Sequence, residues 1–344
     1  MTWASLASRN PMGQQHYEVE IQRAVRAQAA SDWSLRSITV TSARDDLPGA
    51  RRTLAGPYHR APLGVALALG GALYRTRRLV HRLDLRIPPS PGPEVLTIHD
   101  VAPLHYRDEG VLPRSALAGA KRARAVIAPS RYAAEELADV LQIDRVHAIA
   151  HGLSEGFLDP RPVHDSVLRA LGVDGPFVLH AGGASQRKNL RSLASAWTEV
   201  AALEKDLSLV LCGPPDARRD RLFEDLPRVR RMGKLPADVV PGLMCRAEAV
   251  VVPSLYEGFG LPALEGMACG RPVVAARAAS LPEVCGDAAL LVEPDTAGLA
   301  EGMARAVGDS ALRMRLMQAG PLRAAQFSWE HAAQEHLAVY AACL

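Results

Sequence analysis

The sequence has no apolar run approaching the roughly eighteen residues that a membrane-spanning helix needs. Its first ten residues, MTWASLASRN, show neither the basic start nor the apolar centre of a signal peptide, so a soluble, cytoplasmic protein is expected. Charge of one sign is also scarce in excess: 40 Lys and Arg against 37 Asp and Glu leave a formal +3. That small balance argues against a general nucleic-acid binder, while leaving room for a local basic patch. Five cysteines, Cys212, Cys245, Cys269, Cys285 and Cys343, lie scattered without metal-ligand spacing and mostly in apolar surroundings. This points to free buried thiols in a reducing compartment rather than to a cysteine metal site. There is no short-period repeat and no long low-complexity tract. No G-x-G-x-x-G follows an early strand, which disfavours a dinucleotide-dependent oxidoreductase.

At 344 residues the chain is long for one core, and two domains are expected. The most informative stretch runs from Ala249 to Ala276, AVVVPSLYEGFGLPALEGMACGRPVVAA. AVVV is a short β-branched run of the kind found in buried parallel strands, and it stops at Pro253. The chain then turns through Glu257, Gly258, Phe259 and Gly260 and enters a helix at Leu261-Pro262, where a proline loses no hydrogen bond. Gly266, Ala268 and Gly270 let that helix sit close to a sheet before VVAA makes the next strand. A strand, a glycine loop and a helix N-terminus favour an anion such as phosphate, although such a turn also serves as a plain connection. Glu257 and Glu265 flank the anion position and would be repelled by it. Accepting hydrogen bonds from sugar hydroxyls is the other task open to them, and together these features point to a nucleotide sugar.

This string resembles the signature of retaining glycosyltransferases of the GT-B architecture, family four. The resemblance covers residues 92 to 344 well and the first ninety poorly. It implies an α/β fold of two facing Rossmann-like domains with a cleft between them. The implied division is 1–155 on the acceptor side, 156–326 on the nucleotide-sugar side, and a helix over 327–344 that crosses back to the first domain. In such enzymes the second glutamate, here Glu265, binds the ribose hydroxyls. The first, Glu257, contacts the transferred sugar, and the backbone of Phe259, Gly260 and Leu261 faces the sugar and diphosphate.

Three other segments bear on the site. PFVLHAGG reads as a strand ending in two glycines, and Arg187 and Lys188 follow at the start of a helix, either as a solvated helix start or as cations placed to neutralise a diphosphate. The family uses an Arg and a Lys in this segment for that purpose, but often with the arginine directly after the strand's glycine, where this chain has Gly183 or Ala184. VLTIH is a strand ending at His99, where α/β sheets place ligands. TIHDVAPLHY resembles the family segment whose histidine approaches the donor sugar, while Asp100 fixes the loop or orients the imidazole. Near the N-terminus, Asn10 to Gln15 forms a turn whose Gly13 matches a family loop that faces phosphates and acceptor. The segment fits a plain strand-to-helix connection equally well.

The remaining chain reads as alternating strands and helices. Leu35 to Thr41 is a strand, Ala43 to Pro57 a polar loop, and residues 111 to 123 a helix. Ser130 caps the next helix. His151 stands where the family usually has asparagine and reads as a hinge, and Ser154 to Asp174 has the Gly, Pro and charge content of a linker. LGVALALGG followed by Arg75, Arg77, Arg78, Arg82 and Arg86 fits either a peripheral contact with an anionic membrane or a core-packed helix with a solvated end, the latter being favoured.

The activity implied is metal-independent, retaining transfer of a hexosyl group from GDP-mannose or a UDP-sugar, with His99, Lys188 and Glu257 as the catalytic group and no cofactor. The acceptor would be a glycan, a lipid-linked sugar or a small molecule. The rivals are an epimerase or hydrolase on the same architecture, or a silent subunit that binds a nucleotide sugar.

Overall fold

The computed structural model describes residues 1–6, 13–31, 33–42, 51–53, 61–112 and 114–344. They form two compact units, Met1–Gly152 with Ser328–Leu344, and Leu153–Phe327.

The first unit carries β1 (Thr2–Leu6), β2 (Arg36–Ser42), β3 (Arg51–Thr53), β4 (Val80–Arg82), β5 (Glu94–Thr97), β6 (Ala125–Ala128) and β7 (Val146–Ala148). Their order is β3-β2-β1-β4-β5-β6-β7, with every neighbouring pair parallel. The second unit holds β8 (Phe177–Ala181), β9 (Ser208–Cys212), β10 (Val229–Gly233), β11 (Ala249–Val252), β12 (Val273–Ala276) and β13 (Leu290–Val292). These run β10-β9-β8-β11-β12-β13, again all parallel. Each sheet therefore winds outward from its first strand, returns, and continues the other way. The switch points lie between β1 and β4 in the first unit and between β8 and β11 in the second, and beyond the carboxyl ends of such strands α/β sheets bind their ligands.

Packing explains why these strands form. All four residues of β11 are buried, as a parallel strand covered on both faces requires. Leu193, Trp197, Phe223, Leu299 and Met303 belong to the core around this sheet. Gly266 brings the helix Leu261–Ala268 against β11 and β12: a Cβ there would lie 2.9 Å from Val273 Cγ2 and 3.1 Å from Val250 Cβ.

The last helix, Trp329–Ala342, belongs to the first unit. Ser328 caps it, accepting from the His331 N–H at 3.1 Å, and Trp329, Ala332, Ala333, His336, Val339 and Tyr340 form its buried stripe. The buried Nε1 of Trp329 has no hydrogen-bond partner among the described residues, but the other groups under that stripe form a network. Tyr17 Oη meets Thr97 Oγ1 and His336 Nε2, both at 2.9 Å. His81 joins Thr97 Oγ1 at 2.9 Å and Tyr340 Oη at 2.6 Å, and Trp3 Nε1 donates to Tyr340 Oη at 3.2 Å. Burial holds His81 well below the usual histidine value and His336 at about 4, so both rings are neutral and can bridge hydroxyls.

Several expectations need correction. The loop read from Ala43 to Pro57 contains β3, and the stretch after the apolar helix Leu63–Tyr74 contains β4; both strands have three residues, too few to show a period. The helix read over 111 to 123 is shorter, Arg114–Ala120. The linker read from Ser154 to Asp174 is part of the second unit, with a helix at Asp165–Ala170 and with Phe157, Leu168 and Val173 buried. Nor do the five arginines form one basic patch. Arg75, Arg77 and Arg78 are exposed, Arg86 is paired with Asp84 at 2.5 Å, and the Arg82 side chain is fully buried.

Arg82 instead binds Glu94 at 2.8 Å and donates to the Ile87 carbonyl at 3.0 Å, while Glu94 also accepts the Ser90 N–H at 2.6 Å. Removing one partner of a buried ion pair leaves the other charge uncompensated, which costs about 3–5 kcal/mol. Arg82→Ala is therefore expected to destabilise the first unit by about that amount. Denaturant unfolding followed by Trp fluorescence checks this, and an unchanged midpoint would remove Arg82 from the structural core.

Candidate active site

Two loops meet beyond the carboxyl ends of β8 and β11, at the second unit's switch point. After β8, Gly182 and Gly183 lead into the short turn Gln186–Lys188, and Asn189 starts the helix Leu190–Leu203 at a left-handed φ of 55°. Its side-chain amide donates to the Pro253 carbonyl at 3.1 Å and the Pro294 carbonyl at 2.7 Å. The Leu255 N–H returns a bond to the Arg187 carbonyl at 2.8 Å, so the two loops are stitched together through backbone as well as charge.

Glu257 is the centre of the knot. Lys188 Nζ donates to its Oε1 at 2.6 Å, Ser254 Oγ to the same oxygen at 2.7 Å, and Arg187 Nη1 to Oε2 at 2.9 Å. Burial pushes its carboxyl up, but the charges of Lys188 and Arg187 and the hydrogen bonds from Lys188 and Ser254 outweigh that, and the net position is below the usual value. Two cations and one carboxylate leave the trio at +1. A carboxylate offers about four lone-pair sites, three of which are taken, so one on Oε2 remains to accept a further hydrogen bond. Glu257 thus already serves to aim the two cations, a task not read from the sequence.

The loop closes on its helix with little freedom. Ser280 Oγ lies 2.8 Å from the carbonyls of both Glu257 and Phe259. Phe259 is buried, its ring edge-on to Phe327 at 5.6 Å, so its side chain is taken up by packing. Gly260 has a φ of 107°, and a Cβ there would lie 2.7 Å from Leu281 Cδ2, two reasons for glycine at that position. Pro262 brings no N–H, and the N–H groups of Gly260 and Leu261 have no hydrogen-bond partner among the described residues. Two such donors at a helix start, with the helix dipole behind them, favour an anion. One turn on, Glu265 is half-buried, its side chain without a hydrogen bond or ion pair among the described residues, and burial pushes its carboxyl up to about 7.

The other sequence-derived candidates lie in the first unit. His99 follows β5; its Nε2 is buried without a hydrogen-bond partner, and its ring packs edge-on to Tyr17 at 4.7 Å and His151 at 5.3 Å. Burial lowers it to about 4 against the opposing pull of Asp84, so it is neutral near pH 7. Asp100 Oδ1 accepts the Ala102 N–H at 3.0 Å and so fixes the loop. His151 stacks on Tyr17 at 4.8 Å and Trp329 at 5.8 Å beside the last residue of this part of the unit, Gly152. Gly13 is the first residue of the helix Gly13–Gln28, and the turn residues 10–12 before it lie outside the described residues. Near this switch point Gln14 Nε2 donates to Asp84 Oδ2 at 2.8 Å and Glu18 Oε1 at 3.3 Å. Burial, with Asp84 adding to it, pushes Glu18 up to about 8.

Sequence reasoning missed Ser254, Ser280 and Asn189. Ser254, three residues before Glu257, carried a local signal; Ser280 and Asn189 act over long separations and carried none. All five cysteines are free and buried, and among the described residues no group of His, Cys, Asp and Glu is arranged to hold a metal. Nor is any described helix long and apolar enough to cross a membrane.

Residues 175–309 match the family described as Glycosyl transferases group 1, a span that contains both loops of the site. Alpha-maltose-1-phosphate synthase of Mycolicibacterium smegmatis is 31% identical over 284 residues, 72% of this chain and 72% of that protein. The chain belongs to the group 1 glycosyltransferases. O-antigen chain mannosyltransferase B of Escherichia coli is 35% identical over 173 residues, 48% of this chain. The match spans only 45% of that mannosyltransferase's own length. Among solved structures, Anabaena HepE in complex with UDP and glucose superposes with a TM-score of 0.77 at 20% identity, covering 99% of this chain and 100% of that one. At that identity the likeness carries the fold, which is the two-domain GT-B architecture. These proteins give no support to an epimerase, a hydrolase or a silent subunit.

Proposed function

We propose that this group 1 glycosyltransferase moves a sugar from a nucleoside-diphosphate sugar to an acceptor hydroxyl with retention at the anomeric carbon. The observation that carries this reading is the Lys188–Glu257–Arg187 knot beside the free N–H groups of Gly260 and Leu261. Cleaving the bond from the anomeric carbon to the diphosphate leaves growing negative charge on the phosphate oxygens. Lys188, Arg187 and the helix start meet it from fixed positions, so little reorganisation is needed as the bond breaks. Charge is then supplied by side chains, and the transfer needs no metal. Glu257 offers its remaining lone pair to a sugar hydroxyl, Glu265 accepts the ribose hydroxyls, and His99 acts on the sugar as a neutral, hydrogen-bonding imidazole.

Residues 156–326 take the donor role and 1–155, with the segment 327–344, the acceptor role. GDP-mannose is the first donor to test, given the mannosyltransferase relative, and UDP-sugars come next, given HepE's bound UDP. The acceptor is a glycan, a lipid-linked sugar or a small molecule. A cytoplasmic enzyme held at an anionic membrane surface by exposed Arg75, Arg77 and Arg78 is part of the same reading. Each basic residue near such a surface contributes about 1 kcal/mol. Sedimentation with phosphatidylglycerol vesicles, lost on replacing the three by serine, checks it; equal binding of the variant would remove the surface.

Glu265 supplies the pH-dependent test. Ribose hydroxyls need an ionised acceptor, and the free protein holds the proton up to about pH 7. Nucleotide binding therefore expels a proton, and affinity for GDP or UDP is expected to rise between about pH 6 and about pH 8. The sign for folding is the reverse: with its folded value raised, Glu265 contributes less to stability as pH climbs from the ordinary carboxylate range through about 7. Glu265→Gln should flatten the affinity profile, and Glu265→Ala should weaken binding by about 1.5–3 kcal/mol. Calorimetry across pH decides; unchanged affinity in a folded variant would sink the assignment.

A further inference from the structure

A cavity of about 700 Å³ opens at the end of the second unit's sheet where β8 and β11 begin, opposite the loops that carry Lys188 and Glu257. Its charged lining is Arg169, Arg246 and Arg271 against Asp165, Asp174 and Glu248. Glu248 is neutralised from outside the lining by Arg313 at 2.5 Å, which leaves the cavity one net positive charge. Arg271 makes no side-chain hydrogen bond or ion pair among the described residues, and its Nε is buried. A cavity of this size with a spare guanidinium fits a small organic anion.

Cys245 lies on the wall of this cavity, and Cys269 is its buried neighbour. The two cap the ends of different helices, Val239–Met244 and Leu261–Ala268. Both converge on one carbonyl: the Cys245 N–H donates to Pro241 O at 3.0 Å, and Cys269 Sγ lies 3.6 Å from the same oxygen. The neighbouring Cys269 thiol, opposed by burial and helped by the charge of Arg271, holds Cys245 below the usual thiol value, whereas the Cys245 thiol and burial push Cys269 up. Cys245 is the thiol that borders open space, while Cys269, converging on the same carbonyl, is positioned to follow it.

We propose that Cys245 and Cys269 form a reversible disulfide by exchange with a small anionic disulfide admitted by the cavity. The Cys245 thiolate attacks one sulfur of the incoming disulfide, forming a mixed disulfide and expelling one thiolate. Cys269 then loses its proton and attacks the Cys245 sulfur, expelling the second thiolate. The protein dithiol gives up two electrons and two protons, and the incoming disulfide leaves as two thiols. The step couples to the nucleotide loops through the helix Leu261–Ala268, because the Cys269 N–H caps it by donating to the Glu265 carbonyl at 3.0 Å.

The test uses the full chain and glutathione disulfide, followed by alkylation and peptide mass mapping. A Cys245–Cys269 cross-link is expected, reversed by dithiothreitol, with Cys212 and Cys285 still alkylated. Cys269→Ser should stop at a glutathione adduct on Cys245, and Cys245→Ser should leave Cys269 unmodified. Added salt, and Arg271→Ala where it folds, should slow exchange with glutathione disulfide several-fold more than exchange with uncharged 2-hydroxyethyl disulfide. The proposal is overturned by the absence of the cross-link, by an adduct on Cys269 in the Cys245→Ser variant, or by equal salt effects on the two disulfides.

Discussion

Replacing Lys188 with alanine is expected to lower the rate of sugar transfer by about a hundredfold to a thousandfold, the range found when one fixed donor to a developing oxyanion is removed. The Lys188 side chain is 12% exposed and its Nζ is tied to Glu257 at 2.6 Å, so its position is set before any donor arrives. Charge that grows as the diphosphate leaves gains more from that fixed cation than charge already present in the bound donor. The loss should therefore fall on kcat more than on donor affinity. Lys188→Arg should not restore the rate, since a planar guanidinium cannot take the place of a compact ammonium that shares Glu257 Oε1 with Ser254. Stopped-flow or quenched kinetics at saturating donor settles it. A variant with weakened donor binding and normal kcat would reduce Lys188 to a ground-state contact.

His99→Ala is expected to reduce transfer by about a hundredfold while nucleoside-diphosphate affinity stays near that of the unaltered protein. The candidate groups for base, ribose and phosphates belong to the second unit, and His99 belongs to the first. Its ring is held edge-on to Tyr17 and kept neutral by burial, so its buried, unpartnered Nε2 can donate or accept one hydrogen bond without carrying charge. Because its value is lowered to about 4, the activity it supports should show no inflection near pH 6.5, where an exposed histidine would titrate. Both quantities are measured on one folded sample. Full transfer activity would remove His99 from the site, and loss of binding together with activity would make it a support for the fold.

Most of the site's skeleton was legible because its signals are local. AVVVP, EGFG and LP mark a strand, a turn and a helix start within fourteen consecutive residues, and the structure places them so. The role of Glu257 toward Arg187 and Lys188 was not legible, because those partners stand 70 and 69 residues away and meet only through the pairing of β8 with β11. Arg82 shows the same limit. Among neighbouring arginines it reads as surface charge, and only the pairing of β4 with β5 reveals that Glu94 receives it in the core. β3 and β4 escaped notice because three residues carry no period. Phe157, Leu168 and Val173 were too few among glycine, proline and charge to announce a packed segment.

The central claim is that the second unit holds a nucleoside-diphosphate sugar whose sugar is passed on with retention. The most direct measurement offers GDP-mannose and UDP-glucose, labelled in the sugar, together with glycan and lipid extracts, and follows the label by mass and by the proton coupling at the anomeric carbon. The account predicts release of nucleoside diphosphate matched by a glycosylated product whose new linkage keeps the donor's anomeric configuration, and loss of both in Lys188→Ala. Free sugar as the sole labelled product, an epimerised donor, an inverted linkage, or tight nucleotide binding with no turnover on any donor would contradict it.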